Sequence, residues 1–213
     1  MINVALFGFG RIGQMHGENI FKHPKFYLKY VYDRNMRLAK KSEKMFGAIS
    51  IKNYKDALKD NSIGVIFIAS STPTHINFIR EAALHKKTIF CEKPLDLDLN
   101  KIVKCKKYIK KFSPRVQLGF NRRYDPGHYY LKKSIEQKRI GTLQKIIITC
   151  RDPAPPPLAY LKTAGGIFKD MIIHDFDLIR FYLKNDPIKE VFATTSDLSE
   201  YSKLFKKVKD FEL

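Results

Sequence analysis

The chain has 213 residues, 44% of them hydrophobic and 29% charged, with a formal charge of +19. That apolar share, with 16 Phe and 11 Tyr, is ample for a packed core, and no uninterrupted apolar run approaches the roughly 18 residues of a membrane span. The length admits one sizeable domain, or one complete domain and part of another. Cys91, Cys105 and Cys150 lack C-x-x-C spacing, which suits reduced cytoplasmic thiols and argues against a disulfide scaffold or a zinc site. The first strand begins within three residues, which leaves no room for a signal peptide. The positive charge raises nucleic acid or an anionic membrane as partners. Its lysines are scattered, however, and the densest set (Lys101, Lys104, Lys106, Lys107, Lys110, Lys111) shares one amphipathic helix with Ile102, Val103, Cys105 and Ile109 as inward candidates. A solvated helix face is favoured over a nucleic-acid surface.

In chain order, Val4-Ala5-Leu6-Phe7 reads as a central parallel strand, because such strands are covered on both faces and need not alternate. It runs into Gly8-Phe9-Gly10-Arg11-Ile12-Gly13, a G-x-G-x-x-G turn, and then a helix through Gln14 to Phe21. Gly8 suits the tight turn, Gly10 close approach to a pyrophosphate, and Gly13 close packing of helix on strand. Open N–H groups and the dipole at the helix start would hold the phosphates. A second strand, Tyr27 to Tyr32, delivers Asp33 twenty residues after Gly13, where a carboxylate accepts the ribose hydroxyls of a dinucleotide. The competing reading is a cap on the next helix, which starts near Asn35. An aspartate disfavours a 2′-phosphate and so points to NAD over NADP, although the neighbouring Arg34 can accommodate one.

A helix from Met36 to Phe46, a short strand Ile49 to Ile51 and a helix Asn53 to Lys59 follow. The apolar strand Gly64 to Ala69 ends in Ser70-Ser71-Thr72-Pro73-Thr74-His75, polar residues where a parallel strand opens onto a ligand crevice. Next come a helix His75 to His85, the strand Thr88 to Cys91 with Glu92-Lys93-Pro94 at its end, a helix over 99–112 and the strand Arg115 to Phe120. Strands alternating with helices predict an α/β fold, a doubly wound parallel sheet of Rossmann type over 1–119. Beyond it, over 120–213, the pattern predicts an incomplete α+β domain. Pro126 starts a helix to about Ile140 with Gly141 as its stop, Leu143 to Thr149 and Ile188 to Thr195 read as strands, and a proline-rich loop follows Asp152. A helix from about Phe168 to Leu183 carries Asp170 and His174 at i, i+4, a carboxylate placed to orient an imidazole as general base. By spacing alone an ordinary helical ion pair is the favoured reading, and no third ligand suggests a metal. Lys93, at the end of a strand beside Glu92, is the other candidate.

Gly8-Phe9-Gly10-Arg11-Ile12-Gly13, Cys91-Glu92-Lys93-Pro94 and Gly119-Phe120-Asn121-Arg122-Arg123-Tyr124-Asp125 resemble the Gfo/Idh/MocA oxidoreductases. The Arg151-Asp152-Pro153 loop and the run from Gly165 to Asp177 resemble the inositol 2-dehydrogenases within that family. The resemblance implies NAD as cofactor and a small-molecule polyol as substrate, with myo-inositol oxidised at C2 to 2-keto-myo-inositol. It implies Lys93, Asp170 and His174 as the catalytic set. Glu92 and Lys93 would touch the cofactor, with Ser71, Thr72 and His75 on the nicotinamide side, while Arg123, Asp152 and Asn121 would face the polyol together with Asp170 and His174. Relatives in the family build homo-oligomers through a larger second-domain sheet. This chain supplies about two strands of that sheet, too few to be stable alone, so it reads as a truncated form, a fragment, or one half of a split protein with a C-terminal partner chain. Weak or absent activity of the isolated chain is the expectation. The alternatives are another inositol isomer or sugar, or a non-catalytic NAD-binding or nucleic-acid-binding protein.

Overall fold

A computed structural model describes residues 1–152, 156–157, 160–161, 164–184 and 186–194. The chain divides into two compact units, the first Met1–Gly119 and the second beginning at Phe120. In the first, six parallel strands lie in the order β3-β2-β1-β4-β5-β6: β1 (Ile2–Phe7), β2 (Phe26–Tyr32), β3 (Ile49–Ile51), β4 (Ile63–Ile68), β5 (Thr88–Cys91) and β6 (Val116–Leu118). Between them run α1 (Arg11–Lys22), α2 (Met36–Phe46), α3 (Tyr54–Lys59), α4 (Thr72–Leu84) and α5 (Leu99–Ile109). The continuous apolar run of β1 has a direct cause in this order. Val4 and Leu6 enter one buried cluster with Ile20 of α1 and Ala39 of α2, while Ala5 and Phe7 enter another with Phe78 and Ala82 of α4. A strand buried on both faces needs apolar residues at every position.

Local chemistry sets the helix ends. Asn35, Asn53 and Asp98 each accept a backbone N–H two residues on, capping α2, α3 and α5. Helix α4 begins at Thr72, three residues before the expected start, because Pro73 fits a first turn whose N–H groups have no intrahelical partner. Helix α5 ends at Ile109 rather than at 112 and gives way to a 3-10 turn over Lys110–Phe112. The four lysines of the helix and the two of the turn lie exposed and Cys105 is buried, but Val103 points outward rather than inward.

At the opposite edge of the sheet the Lys29 ammonium donates to Asp60 Oδ2 at 2.6 Å and to Ser62 Oγ at 2.9 Å. It holds the Asp60 carboxyl far below the usual carboxylate range, and the hydrogen bonds from Ser62 act in the same sense. A depressed native pKa contributes stability that is complete above the unfolded value, about 3.9, and is lost as pH falls through the native one. Asp60→Asn should therefore melt at a lower temperature than the parent at pH 7, with the gap closing in strong acid. Melting curves across acidic pH check it, and a gap independent of pH would refute the ion pair's role.

The second unit holds a short 3-10 turn (Asn121–Tyr124), α6 (Pro126–Glu136), α7 (Gly166–Asp170) and α8 (Ile173–Leu183). Three expectations are corrected here. Helix α6 stops at Glu136 rather than near Ile140, because Lys138 takes a left-handed conformation (φ 55°) and Arg139 N–H bonds back to Ser134 O. The helix expected from about Phe168 to Leu183 is two helices: Ile172 N–H reaches back five residues to Ile167 O, His174 N–H only three to Met171 O, and the ladder slips between them. Leu143 to Thr149 and the described part of the segment 188–195 are not strands. A strand requires a neighbour to ladder with, and among the described residues neither segment has one. Several of their apolar side chains stay in solvent, Ile147 at 75%, Val191 at 80% and Phe192 at 90% exposed, while Leu143, Ile146 and Ile148 are half-buried. Residues 153–155, Thr195 and the lysine-rich stretch after Asp197 lie outside the described residues.

Cys91 and Cys105 are buried and Cys150 is partly exposed. Burial pushes both buried thiols above their ordinary range, and the neighbouring Glu92 charge adds to this at Cys91. The native chain should therefore titrate a single fast thiol with a disulfide reagent, mapped to Cys150, and all three only after denaturation. Fast modification of Cys91 would contradict the packing.

Candidate active site

Parallel pairing brings the strand ends to one edge. Phe7 is in register with Tyr32 and Ile68, and Ile68 with Cys91. The backbone bonds Gly8 N–H to Tyr32 O (2.8 Å), Ala69 N–H to Phe7 O (2.8 Å) and Glu92 N–H to Ile68 O (2.9 Å) extend that register one residue. The glycine turn, Asp33, the Ser70 loop and Glu92-Lys93 thus sit side by side at the carboxyl edge. The order of strands reverses between β1 and β4, and the glycine turn lies at that reversal.

The three glycines do different work. Gly8 has φ 93°, and a Cβ there would stand 2.5 Å from the Ser70 backbone. A Cβ on Gly13 would stand 2.0 Å from Gly8 O, so α1 packs against the turn more closely than any side chain permits. Gly10 has an ordinary φ of −69°, and a Cβ there would meet nothing within 4 Å. The fold does not require glycine at position 10; the space in front of it does. Gly10 is also the N-cap of α1 and supplies no side-chain cap, and the first turn of α1 holds no acidic residue. Open N–H groups, a positive helix end and clear space suit a phosphate. The residues present therefore fit the pyrophosphate of a dinucleotide.

Asp33 holds this turn in shape. Its Oδ2 accepts the Phe9 N–H and its Oδ1 the Asn35 N–H, each at 2.7 Å. Asn35, not Asp33, caps α2. Phe9 contributes through its backbone alone, because its ring is fully buried against Phe46. Arg11, Arg34 and Ser71 are exposed, while Ile12 and Thr72 are half-buried. His75 is only 1% exposed, and its ring nitrogens lie 2.8 Å from Pro94 O and 2.9 Å from Ser70 O. It braces the Ser70 loop to the Lys93-Pro94 turn, and both its polar atoms face backbone carbonyls. Glu92 is likewise engaged: Oε1 accepts from His16 Nε2 at 2.7 Å and Oε2 from Lys93 N–H at 3.2 Å. Lys93 is half-buried and its peptide bond to Pro94 is cis.

In the second unit, Asp170 ends α7 and His174 lies in the first turn of α8, on either side of the slip between the helices. The Tyr160 hydroxyl lies 2.8 Å from each oxygen of the Asp170 carboxylate, to which it donates. The Phe120 ring stands edge-on to the His174 ring, 6.3 Å between centres. Arg123, expected to face substrate, makes a two-pronged bond to Asp177: Nε to Oδ2 at 2.7 Å and Nη2 to Oδ1 at 2.5 Å. Arg122 pairs with Asp175. The two arginines of the 3-10 turn thus clamp α8 just beyond His174. Asn121 and Asp152 are exposed.

Sequence reasoning overlooked His16 and Tyr160, and it did not foresee the bond from Arg123 to Asp177. His16 was findable, since it shares a stripe of α1 with the buried Gly13, Gly17 and Ile20. Tyr160 lies ten residues before Asp170 across a turn, at a spacing with no periodic signal.

A six-stranded sheet in this order, with a glycine turn at the reversal and an acid at the end of β2, defines a dinucleotide-binding Rossmann protein. Comparison with known proteins narrows the class. The chain belongs to the Gfo/Idh/MocA oxidoreductase family: its NAD-binding Rossmann model matches residues 2–120 and its C-terminal domain model residues 128–211. The chain is similar to a myo-inositol 2-dehydrogenase of Thermotoga maritima, 38% identical over 92% of this chain and 59% of that protein. Among solved structures it resembles a putative myo-inositol dehydrogenase from Sinorhizobium meliloti 1021, with a TM-score of 0.84 and 36% identity over 88% of this chain and 57% of that one. It also resembles a scyllo-inositol dehydrogenase from Lactobacillus casei solved with NAD(H) and scyllo-inositol, with a TM-score of 0.75 and 30% identity over 85% and 56% of the two chains. The chain thus spans less than two thirds of the relatives it matches. Among the described residues no helix is long and apolar enough to cross a membrane.

Proposed function

We propose that this chain carries the cofactor-binding and catalytic residues of an NAD-dependent inositol dehydrogenase, which oxidises myo-inositol at C2 to 2-keto-myo-inositol. The observation that carries the reading is the alignment at one sheet edge of the open Gly10 turn, Asp33 and the Lys93 turn. Similarity to myo- and scyllo-inositol dehydrogenases supports the substrate class. Residues 1–119 form the NAD-binding domain in this reading, and residues from 120 belong to the substrate and oligomerisation domain.

The α1 N–H groups hold the pyrophosphate and Asp33 the adenosine ribose, with Arg11 and Arg34 flanking them. Bound NAD supplies the hydride acceptor. His174 takes the proton of the reacting hydroxyl, and Asp170 favours the charged imidazole that results. The Lys93 ammonium donates to the same oxygen and lowers the cost of its developing charge. The rest of the proposed site follows the family resemblance: Ser71, Thr72 and His75 on the nicotinamide side, with Asn121, Arg123 and Asp152 toward the polyol. For Arg123 the bond to Asp177 makes positioning of α8 the better supported task.

NADH fluorescence titration of the 213-residue chain tests the first half and should show saturable binding. Initial rates with myo-inositol, scyllo-inositol and glucose test the second. The chain alone is expected to turn over weakly or not at all, because its strand-prone segments are unladdered. A chain extended to the length of its relatives should prefer an inositol, and Lys93→Ala or His174→Ala should cut its rate by about a thousandfold while NADH binding persists. A chain that binds no NADH, or an extended chain indifferent to both substitutions, would overturn the reading.

A further inference from the structure

The Glu92 carboxylate joins three elements of the first unit. His16 of α1 donates to one oxygen, and the Lys93 N–H donates to the other. Gly119, just past β6, lies so close that a Cβ would stand 2.9 Å from Oε2. The His16 and Glu92 side chains are only 13% and 18% exposed. The His16 ring is itself fixed, standing 5.1 Å from Phe90 and 5.9 Å from Phe67, which stack on each other at 4.6 Å. Each Glu92 oxygen thus carries one hydrogen bond from within the unit. A carboxylate drawn in two directions by a helix donor and by the amide of the next residue sets where that next residue lies.

We propose that His16 is a positioning residue for Lys93: through Glu92 it ties the turn that carries the lysine to the helix behind the glycine loop. The dinucleotide helix and the candidate proton donor are then parts of one rigid assembly, and a shift of α1 is passed to the amine. This rests on the role assigned to Lys93 above, yet its test needs no turnover.

The test is competitive acetylation of the native chain, read lysine by lysine by mass spectrometry, with the exposed Lys104 of α5 as internal standard. His16→Phe keeps a ring against Phe67 and Phe90 but has no donor for Glu92. In this variant the Lys93 rate should rise by about threefold or more relative to Lys104 as the turn loosens. His16→Gln, whose amide can donate to Glu92, should return it to within about twofold of the parent. His16→Ala should resemble His16→Phe, and should it fail to fold, the phenylalanine and glutamine variants decide. An unchanged Lys93 rate in folded His16→Phe, or no recovery in His16→Gln, overturns the proposal. The two readings fail separately. A Lys93 rate that follows His16 in a chain that binds no NADH refutes the function alone, whereas saturable NADH binding with an indifferent Lys93 refutes the positioning alone.

Discussion

Gly13→Ala should destabilise the first unit by about 3 kcal/mol, at the upper end of the cost of overpacking a core, whereas Gly10→Ala, at the N-cap of α1, should cost about 0.5 to 1 kcal/mol. The Cβ on Gly13 would lie 2.0 Å from Gly8 O and 2.8 Å from Gly8 C, and both are backbone atoms. Relief requires α1 to lift from the turn, since β1 beneath it is buried on both faces and cannot retreat. In a unit of this size the loss corresponds to a fall in melting temperature of about 10 °C. Gly10 has an allowed φ and empty space before it, so an added methyl disturbs nothing within the protein. It occupies the space assigned to pyrophosphate, and NADH affinity should fall about tenfold, equivalent to about 1.4 kcal/mol. Thermal melts and NADH titrations of both variants separate the two effects. A Gly10→Ala protein that binds NADH as tightly as the parent would move the phosphate elsewhere, and an unchanged melt for Gly13→Ala would contradict the contact.

The second large effect is expected at the paired clamps on α8. Asp175→Ala or Asp177→Ala should each destabilise the second unit by about 2 kcal/mol, below the cost of breaking a fully buried pair because the arginines keep partial access to water. The aspartate side chains are only 11% and 9% exposed, against 26% for Arg122 and 39% for Arg123. Removing an aspartate leaves a half-buried guanidinium without its anion, the costlier way to break such a pair. A double-mutant cycle on Arg122 and Asp175 should give a coupling of about 1 kcal/mol or more, read by chemical denaturation. Additive effects would reduce the clamp to two surface charges. His174 stands one residue before Asp175, so the same variants should impair proton transfer in the extended chain without touching NADH binding.

The first unit was largely legible in the sequence because each signal there is local. Strands β3 and β5 and helix α2 match their expected bounds to the residue, and the others shift by a few positions at their ends. An apolar run identifies a strand buried on both faces, whereas the caps at Asn35 and Asn53 were not read from the sequence. The second unit was less legible, because its outcome depends on distant partners. Leu143 to Thr149 has strong strand propensity, but propensity does not make a ladder. Arg123 looked like a ligand-facing arginine in a polar cluster, and only the fold brings Asp177, 54 residues on, to its guanidinium. Glu92 was expected to touch cofactor for the same reason, its position at the edge being readable and its two internal donors not.

The bracing of the carboxyl edge bears on how tightly a dinucleotide can be held. His75 spans two loops, Asp33 anchors the glycine turn by the Phe9 N–H, and Glu92 joins helix to turn, so the cradle exists before anything enters it. Little chain freedom remains to be surrendered on association, and contacts made there convert to affinity with small entropic loss.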